Sequence, residues 1–530
     1  MAIYEIKNFS GGIADYEDKG ILGAFKFGAN LNIRGNVDCL TCNQALKDEG
    51  LDSSLSPSAS TSPSSSGSNS PSPSLSASPS PTPSPSASAS PSASVSPSAT
   101  ASVSSSISPS PSLSQAYNSI FRDLIRFWVK ATDGYLYGFG NRGYIYSYDN
   151  DGHWKIVYKD PDGEINGAAE WSDYNGNIYL YWSVGRKLHR KVIPGKQNWN
   201  DVDNDSDWPK TNLELTQWHT MRECGGSLII ANHNFLALVG FDNSYTNEAL
   251  DLIPGNIATT IVERNGQTIV GTKRLLSETR SINGAIDSEV PLAQVGDDGE
   301  VFFANMSDSI PTKQFPGGGK VNPGGVCNEI DQVNFFEWDQ DALSWIDKQS
   351  VGNMALFAVY GADSGKGGIY SYGRKNKNKP FVMNLEYQFD ADELGAVTTI
   401  DGRVFFSYEL DGVYGVKSVD DTLKADGIYE GLDFRSPIKL PTNITTYNKM
   451  EVYCDPLPSG SYFSAMVRLN KNGDFINTNL EGGSQIFDLV GERKAVFNIS
   501  QEGEVFEPKI FIHNSSNTSV RIHRIRVYFN

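Results

Sequence analysis

Residues 125–158, IRFWVKATDGYLYGFGNRGYIYSYDNDGHWKIVY, constrain the fold of this chain more than any other stretch. Three short polar turns divide the run, at Asp133-Gly134, at 141–143 and at 150–152. Such turns supply the positive φ angles that tight hairpins require, and aromatic residues alternate with smaller ones between them. The run therefore predicts four consecutive antiparallel strands. A sheet of this kind cannot bury its aromatic face alone, so it needs further sheets beside it.

Similar apolar hairpins interrupted by Gly-containing turns recur down the chain. They fall at residues 169–182, 221–231, 259–272, 292–304, 355–372 and 396–408. Their average spacing is about 45 residues, which is the usual size of a four-stranded blade. The long interval between Gly299 and Gly365 leaves room for one more hairpin. We predict an all-β protein built on a β-propeller of six or seven blades; two β-sandwiches in tandem are the alternative.

The chain is expected to hold four parts. Residues 1–50 alternate apolar and polar side chains and predict an N-terminal β arm. Residues 51–116 are almost entirely Ser, Pro and Ala, and nothing in them offsets the entropy of ordering, so a disordered insertion with a reach of up to ~190 Å is predicted. It is interpreted as a spacer, a glycan-bearing projection, a repulsive brush or a neutral expansion. The propeller is assigned to 117–440, and a C-terminal β-sandwich of five to seven strands to 441–530.

Charge and hydropathy exclude several classes of function. The net charge is −18, and no Lys/Arg cluster is present, which argues against a nucleic-acid surface as the main function. No apolar run is long enough to cross a bilayer, and the first residues lack the features of a secretory signal. We therefore expect synthesis in a cytoplasm and no membrane partner. The odd number of cysteines, five, predicts reduced thiols.

Motifs for metal binding are weak. Cys39 and Cys42 form a CxxC pair, but no second pair is spaced to complete four zinc ligands, so two buried or idle thiols are expected. A candidate calcium loop places carboxylates at alternate positions, namely Asp201, Asp203, Asp205 and Asp207. Ser206 stands where the turn glycine belongs and Asn212 where the last glutamate belongs, so we interpret the loop as solvated acidic residues and predict no metal site and no cofactor. The histidines, His189, His219 and His233 among them, are interpreted as surface or core partners.

Catalytic signatures are also missing from the sequence. It contains no G-x-S-x-G, no H-E-x-x-H and no Walker loop. Residues 147–154, SYDNDGHW, resemble the Asp-box turn of sialidase-type propellers with one extra residue before the Gly, and that box is a structural turn. No grouping of residues nominates a catalytic site, so we predict a protein that is not an enzyme.

Two stretches carry a resemblance to a known group of proteins. The first is residues 4–34, YEIKNFSGGIADYEDKGILGAFKFGANLNIR, and the second is residues 507–530, EPKIFIHNSSNTSVRIHRIRVYFN. Together with the propeller-like middle and the Ser/Pro/Ala insertion, they resemble virion structural proteins of tailed bacteriophages. The layout is similar to that of the propeller-containing nozzle, neck or hub proteins of phage tails.

This resemblance implies a structural component of the virion, located in the tail or neck and repeated in a homo-oligomeric ring. Its partners would be other virion proteins, and the acidic chain would let DNA pass through a channel without binding it. The alternative function is a glycan-binding or glycan-cleaving propeller, either receptor-binding or sialidase-like. A third interpretation is a bacterial surface adhesin, which the missing signal sequence disfavours.

Overall fold

The structure is a computed structural model of the chain. It describes residues 2–9, 12–13, 24–33, 39–50, 119–149, 151–193, 199–204, 206–252, 254, 257–264, 267–272, 276–282, 285–291, 315–328, 336–339, 344–347, 355–373, 382–400, 403–436, 444–471 and 473–530. Among these residues, no helix has the length and apolarity that a bilayer crossing requires. The first strands, in the N-terminal arm, are β1 (Ala2–Ile6), β2 (Phe25–Ala29) and β3 (Gln44–Asp48).

Six antiparallel blade sheets form the propeller in the described part of the chain. Blade 1 contains β4 (Ile125–Lys130), β5 (Leu136–Gly140), β6 (Tyr144–Tyr148) and β7 (Trp154–Lys159). Blade 2 contains β8 (Ile165–Ser172), β9 (Ile178–Val184) and β10 (Lys187–Ile193), followed by a 3-10 turn (Trp199–Asp201). Blade 3 contains β11 (Met221–Cys224), β12 (Ser227–Asn232), β13 (Phe235–Val239) and β14 (Tyr245–Asp251). Blade 4 contains β15 (Ala258–Arg264), β16 (Gln267–Thr272), β17 (Leu276–Ile282) and β18 (Ala285–Pro291).

The last two blades are built less regularly. Blade 5 follows a 3-10 turn (Pro323–Gly325) and contains β19 (Val326–Asn328), β22 (Ala355–Val359), β23 (Gly368–Gly373) and β24 (Val382–Gln388). Between β19 and β22 the chain forms a separate hairpin of β20 (Phe336–Asp339) and β21 (Ser344–Asp347). Blade 6 contains β25 (Glu393–Ile400), β26 (Arg403–Leu410) and β27 (Val413–Lys424), and its fourth strand is β3 from the arm. The outermost strand of the last blade therefore comes from near the N-terminus, which ties the two ends of the propeller sequence together.

The remaining strands form the C-terminal sandwich. They are β28 (Gly427–Gly431), β29 (Phe434–Arg435), β30 (Thr445–Cys454), β31 (Tyr462–Leu469), β32 (Ile476–Asn477), β33 (Asn479–Leu480), β34 (Ile486–Phe487), β35 (Lys494–Gly503), β36 (Val505–His513) and β37 (Ile522–Phe529). One sheet has the order β1-β37-β30-β35-β33. The other contains β28, β36, β31 and their short partners, and it continues through β2 into blade 5. The buried side chains between the two sheets form one apolar core.

The innermost strands of neighbouring blades lie against one another around the axis: β25 contacts β4, β4 contacts β8, β8 contacts β11, and β11 contacts β15. Glycines permit this close approach. A Cβ atom added at Gly167 of β8 would lie 1.7 Å from the carbonyl oxygen of His219, and one at Gly395 would lie 2.2 Å from that of Ile125. Hydrogen bonds then tie the strands across the blade boundary, as when the Ser407 hydroxyl donates to the Ile125 carbonyl.

The predicted fold class is confirmed: the protein is all-β, with a propeller followed by a sandwich. The four strands predicted over 125–158 form blade 1, and the predicted hairpins pair as expected except the one at 292–304, which lies outside the described residues. The β20–β21 hairpin occupies the long interval that had room for one. The Ser/Pro/Ala segment at 51–116 lies outside the described residues. The sheets do not follow the boundaries predicted for the four parts. β1 belongs to the predicted arm and β28 to the predicted propeller, but both strands pair with strands of the sandwich.

Candidate functional site

A polar cluster in blade 2 surrounds the imidazole of His189. The side chain projects from β10 and stacks on the indole of Trp182 in β9, with ring centroids 5.6 Å apart and planes 16° from parallel. These two residues face each other in the β9–β10 register. His189 is only 6% exposed, so both of its ring nitrogens depend on protein groups rather than on bulk water.

Asp203 holds one side of this ring. Its Oδ2 lies 2.6 Å from Nδ1 of His189, and its Oδ1 accepts the backbone N–H of Arg190 at 3.0 Å. Because an ionised carboxylate can only accept, Nδ1 carries a proton and donates it to Asp203. Asp203 adopts a positive φ of 53°, which turns the chain back towards β10.

The other members of the candidate calcium loop have different surroundings. Asp201 pairs with the buried ammonium of Lys191 at 2.7 Å, and Asp207 is exposed. Asp205 lies outside the described residues. Asp201 and Asp203 therefore contact two different side chains of β10, Lys191 and His189 respectively.

Two further carboxylates, Asp160 and Asp162, lie on the Nε2 side of His189. They come from the turn between β7 and β8, and the Asp162 amide donates to Oδ1 of Asp160 at 2.9 Å. Nε2 lies 4.0 Å from Oδ2 of Asp160 and 3.7 Å from Oδ2 of Asp162, and it has no hydrogen-bond partner. Trp182 Nε1 donates to Oδ2 of Asp160 at 2.7 Å, and the Lys187 ammonium lies 2.7 Å from Oδ2 of Asp162.

This convergence was missed from the sequence. Asp160 and Asp162 are separated from His189 by two strands, and the sequence does not show that a β7–β8 turn folds over β10. The available signal was the Asp-Pro-Asp-Gly turn after a strand, with carboxylates two residues apart. The prediction that His189 is a core or surface partner describes its stacked, buried position but not its unpartnered nitrogen.

The turn at 147–154 is a structural hairpin turn, as its sequence predicted. Oδ1 of Asp149 accepts the amides of Asp151 at 3.1 Å and His153 at 2.8 Å. Asp173 repeats the arrangement in blade 2 with the amides of Asn175 and Asn177. The amide of His153 contributes most to holding the pKa of the Asp149 carboxyl below its usual range. Asp149, Asp151 and His153 also form a loose, largely exposed group of possible metal ligands.

Both cysteines of the CxxC pair are free and buried, as expected. Cys42 lies in the sandwich core, and burial raises the pKa of its thiol to about 12. A protonated thiol at neutral pH is neither a nucleophile nor a metal ligand.

Two groups of exposed apolar side chains lie close together in the sequence or in space. Tyr174 and Phe241, on turns of blades 2 and 3, form an exposed edge-to-face pair with centroids 6.3 Å apart. A second group lies in residues 470–493, the β31–β35 connection of the sandwich, and consists of Ile476, Ile486, Leu489 and Val490. The seven tryptophans whose side chains the structure describes are all buried or half-buried.

Comparison with known proteins adds the following. No model of a protein family matches the chain, and no curated protein does. Solved structures similar to it include virginiamycin B lyase from Staphylococcus aureus (11% identity, TM-score 0.33, covering 56% of this chain and 95% of that one). A gluconolactonase from Xanthomonas campestris matches at 11% identity and TM-score 0.30 (56% and 86%), and the WD40 β-propeller domain of Doa1 at 10% and 0.31 (56% and 94%). We assign no activity to this chain from these structures, and its fold rests on its own strand pairing.

Proposed function

We propose that the protein is a structural component of a tailed-bacteriophage virion, a tail or neck protein that assembles into a ring with copies of itself and other virion proteins. The observation that carries this proposal is the use made of the N-terminal arm. Its strands join three different sheets: β1 the sandwich, β3 blade 6, and β2 the boundary between blade 5 and the sandwich. The arm is also the segment that resembles the start of virion proteins.

This arrangement suits a part that must transmit force without changing shape. Ala29 of β2 pairs in parallel with Leu385 of blade 5, while β2 pairs antiparallel with β28 of the sandwich sheet. Arm residues also enter the sandwich core, where Phe9, Phe25 and Leu31 are buried. Pulling the propeller away from the sandwich would break backbone hydrogen bonds and expose this core, so the arm holds the two parts together.

The arm strands and the exposed side chains bear on where neighbouring subunits would attach. The described strands of the arm all pair within the chain's own sheets, β2 on both sides and the edge strands β1 and β3 on one side. We expect the contact on the sandwich, because its β31–β35 connection offers exposed apolar side chains. With a net charge of −18, a ring of such subunits would repel rather than bind DNA in its channel.

The test is to look for the protein in purified phage particles. Mass spectrometry of particles should find it in several copies per virion, and a particle reconstruction should place it in a symmetric ring of the tail or neck. Absence from particles, together with a monomer at high concentration in solution, would overturn the proposal.

One observation favours the glycan alternative. Tyr174 and Phe241 form an exposed aromatic surface, and beside it Asn243 donates to the Asp173 carboxylate at 2.7 Å. Aromatic faces with adjacent polar groups suit sugar rings. Binding on a glycan array that disappears in Tyr174→Ala, in a protein absent from particles, would support this alternative instead.

A further inference from the structure

We propose that blade 2 binds one divalent cation of the zinc class between Nε2 of His189 and the Oδ2 atoms of Asp160 and Asp162. The observation that points to a ligand is the buried imidazole nitrogen. Nε2 has no hydrogen-bond partner, belongs to a side chain that is only 6% exposed, and faces two carboxylates. Buried polar atoms are nearly always partnered, so an orphan of this kind needs an explanation.

The hydrogen bond on the other side of the ring leaves Nε2 as the atom that would bind the cation. Asp203 accepts the hydrogen bond from Nδ1, which leaves Nε2 as the ring nitrogen that faces the two carboxylates. A proton on Nε2 would not form a normal hydrogen bond with either carboxylate, because 3.7 and 4.0 Å exceed the usual range. A carboxylate behind the imidazole is the common arrangement for a metal-ligating histidine.

The spacing of the three atoms fits a small ion. One possible ligand atom from each of the three residues lies within 4.8 Å of the other two. Ligands of a tetrahedral zinc ion lie about 2.1 Å from the metal and hence about 3.4 Å from each other. The observed separations from Nε2 are a few tenths of an ångström larger, so a small side-chain movement would close the site.

Two neighbouring donors modify the site without blocking it. Trp182 Nε1 occupies one lone pair of Oδ2 of Asp160 and leaves the other free. The Lys187 ammonium, 2.7 Å from Asp162, supplies positive charge where the cation would lie. Its side chain is 40% exposed, so it can turn into solvent when the cation binds.

The donor set also selects among metals. One imidazole and two carboxylates suit zinc and similar divalent transition ions, whereas calcium prefers six to eight oxygen ligands. The bound ion would join the β7–β8 turn to β10 and so stabilise blade 2. This role does not depend on the virion proposal.

The experiment uses the full chain, stripped with chelator and titrated with ZnCl2 in a calorimeter. We expect one zinc ion per chain and a higher melting temperature with excess zinc, because a ligand that binds the native state stabilises it. CaCl2 should produce neither effect. Asp162→Asn should abolish binding, Asp203→Asn should weaken it about 10- to 100-fold, and Lys187→Met should tighten it.

A matched control is Asp151→Asn, in the exposed group at the 147–154 turn, which should leave binding unchanged. His189→Gln removes the central ligand but also the ring stacked on Trp182, so Asp162→Asn, at a half-exposed residue, is the decisive variant. No zinc binding by the wild type would show that the cluster is a hydrogen-bonded network only and would overturn the proposal. Zinc binding that survives Asp162→Asn, or that is lost in Asp151→Asn, would overturn it too.

Discussion

Glu451 shows how a single carboxylate can be tied into the sandwich. It lies on β30, almost fully buried, and accepts hydrogen bonds from Lys449 at 2.9 Å, Tyr453 at 2.7 Å and Tyr528 at 2.8 Å. Burial alone would raise the pKa of this carboxyl, but the three donors outweigh it and lower the pKa to about 2. The charged form is therefore the one that the folded state favours.

A pH-dependent loss of stability follows from that shift. An unfolded glutamate has a pKa of about 4.3, so the stabilisation by Glu451 is complete above that value and is lost as the pH falls towards 2. We expect Glu451→Gln to lower the free energy of unfolding by roughly 1–3 kcal/mol at pH 7 and by progressively less at acid pH. Calorimetry of both proteins from pH 7 to pH 3 measures this. The exposed Glu492→Gln is the control; a Glu451→Gln deficit that stays constant with pH would contradict the assignment.

The sequence predicts the local contacts of the candidate site but not its long-range ones. Turn chemistry is local, so the Asx turn at Asp149 could be predicted from five consecutive residues. The partners of His189 could not, because Asp160 and Asp203 come from turns on either side of it and meet only when blade 2 folds. The weak calcium pattern did contain Asp203, but its alternation of carboxylates says nothing about an imidazole nearby.

At the scale of elements, hairpins were predictable and long-range pairings were not. Alternation and Gly turns fix a strand and its neighbour, which is why blade 1 matches its predicted run. The pairing of β3 with β27 joins residues more than 360 positions apart, as in the Asp48–Lys417 ion pair at 2.8 Å. The sequence pattern of β3 would suit the edge strand of several blades, so its pairing with β27 is fixed only when the propeller folds.

The insertion and the arm should therefore respond differently to deletion. Gly50 and Ile120 flank the Ser/Pro/Ala segment, and the Ile120 amide donates to the Gly50 carbonyl at 3.2 Å. The ends of the insertion thus already meet. Replacing residues 53–114 with a four-residue Gly-Ser linker should leave the melting temperature nearly unchanged, because loop-closure entropy varies slowly with loop length. A large drop, measured by calorimetry, would show that the segment packs on the fold.

Removal of residues 1–50 is the matched comparison. It takes away β3 from blade 6, β2 from the sheet junction and the arm's buried side chains, of which Leu31 alone is worth about 2–5 kcal/mol on truncation to Ala. We expect a strongly lowered melting temperature or a failure to fold. A truncated chain as stable as the full one would contradict the role of the arm as a tie.

At the scale of the whole molecule, the N-terminal arm joins the propeller to the C-terminal sandwich. Each sandwich sheet contains an arm strand, and blade 6 contains another. The described arm strands are already paired with their own chain, so we expect side chains on the folded surface to bind the neighbour. Exposed aliphatic residues then matter most, since stable interfaces are depleted of charge at their core.

The last prediction locates this contact. Leu489 and Val490 in the β31–β35 connection are 56% and 69% exposed, and Leu215 on the propeller is 72% exposed. A ring interface buries about 1,200–2,000 Å², and a charge placed in its apolar core should prevent assembly while leaving the monomer's stability within about 0.5 kcal/mol. We expect the double variant Leu489→Asp/Val490→Asp to lose the oligomer in light scattering at high concentration and to drop out of particles. Leu215→Asp is the control and should assemble normally. It introduces the same kind of charge, but on the propeller rather than on the sandwich. If Leu215→Asp abolishes assembly and the double variant does not, the contact lies on the propeller, and the sandwich is not the surface that joins the ring.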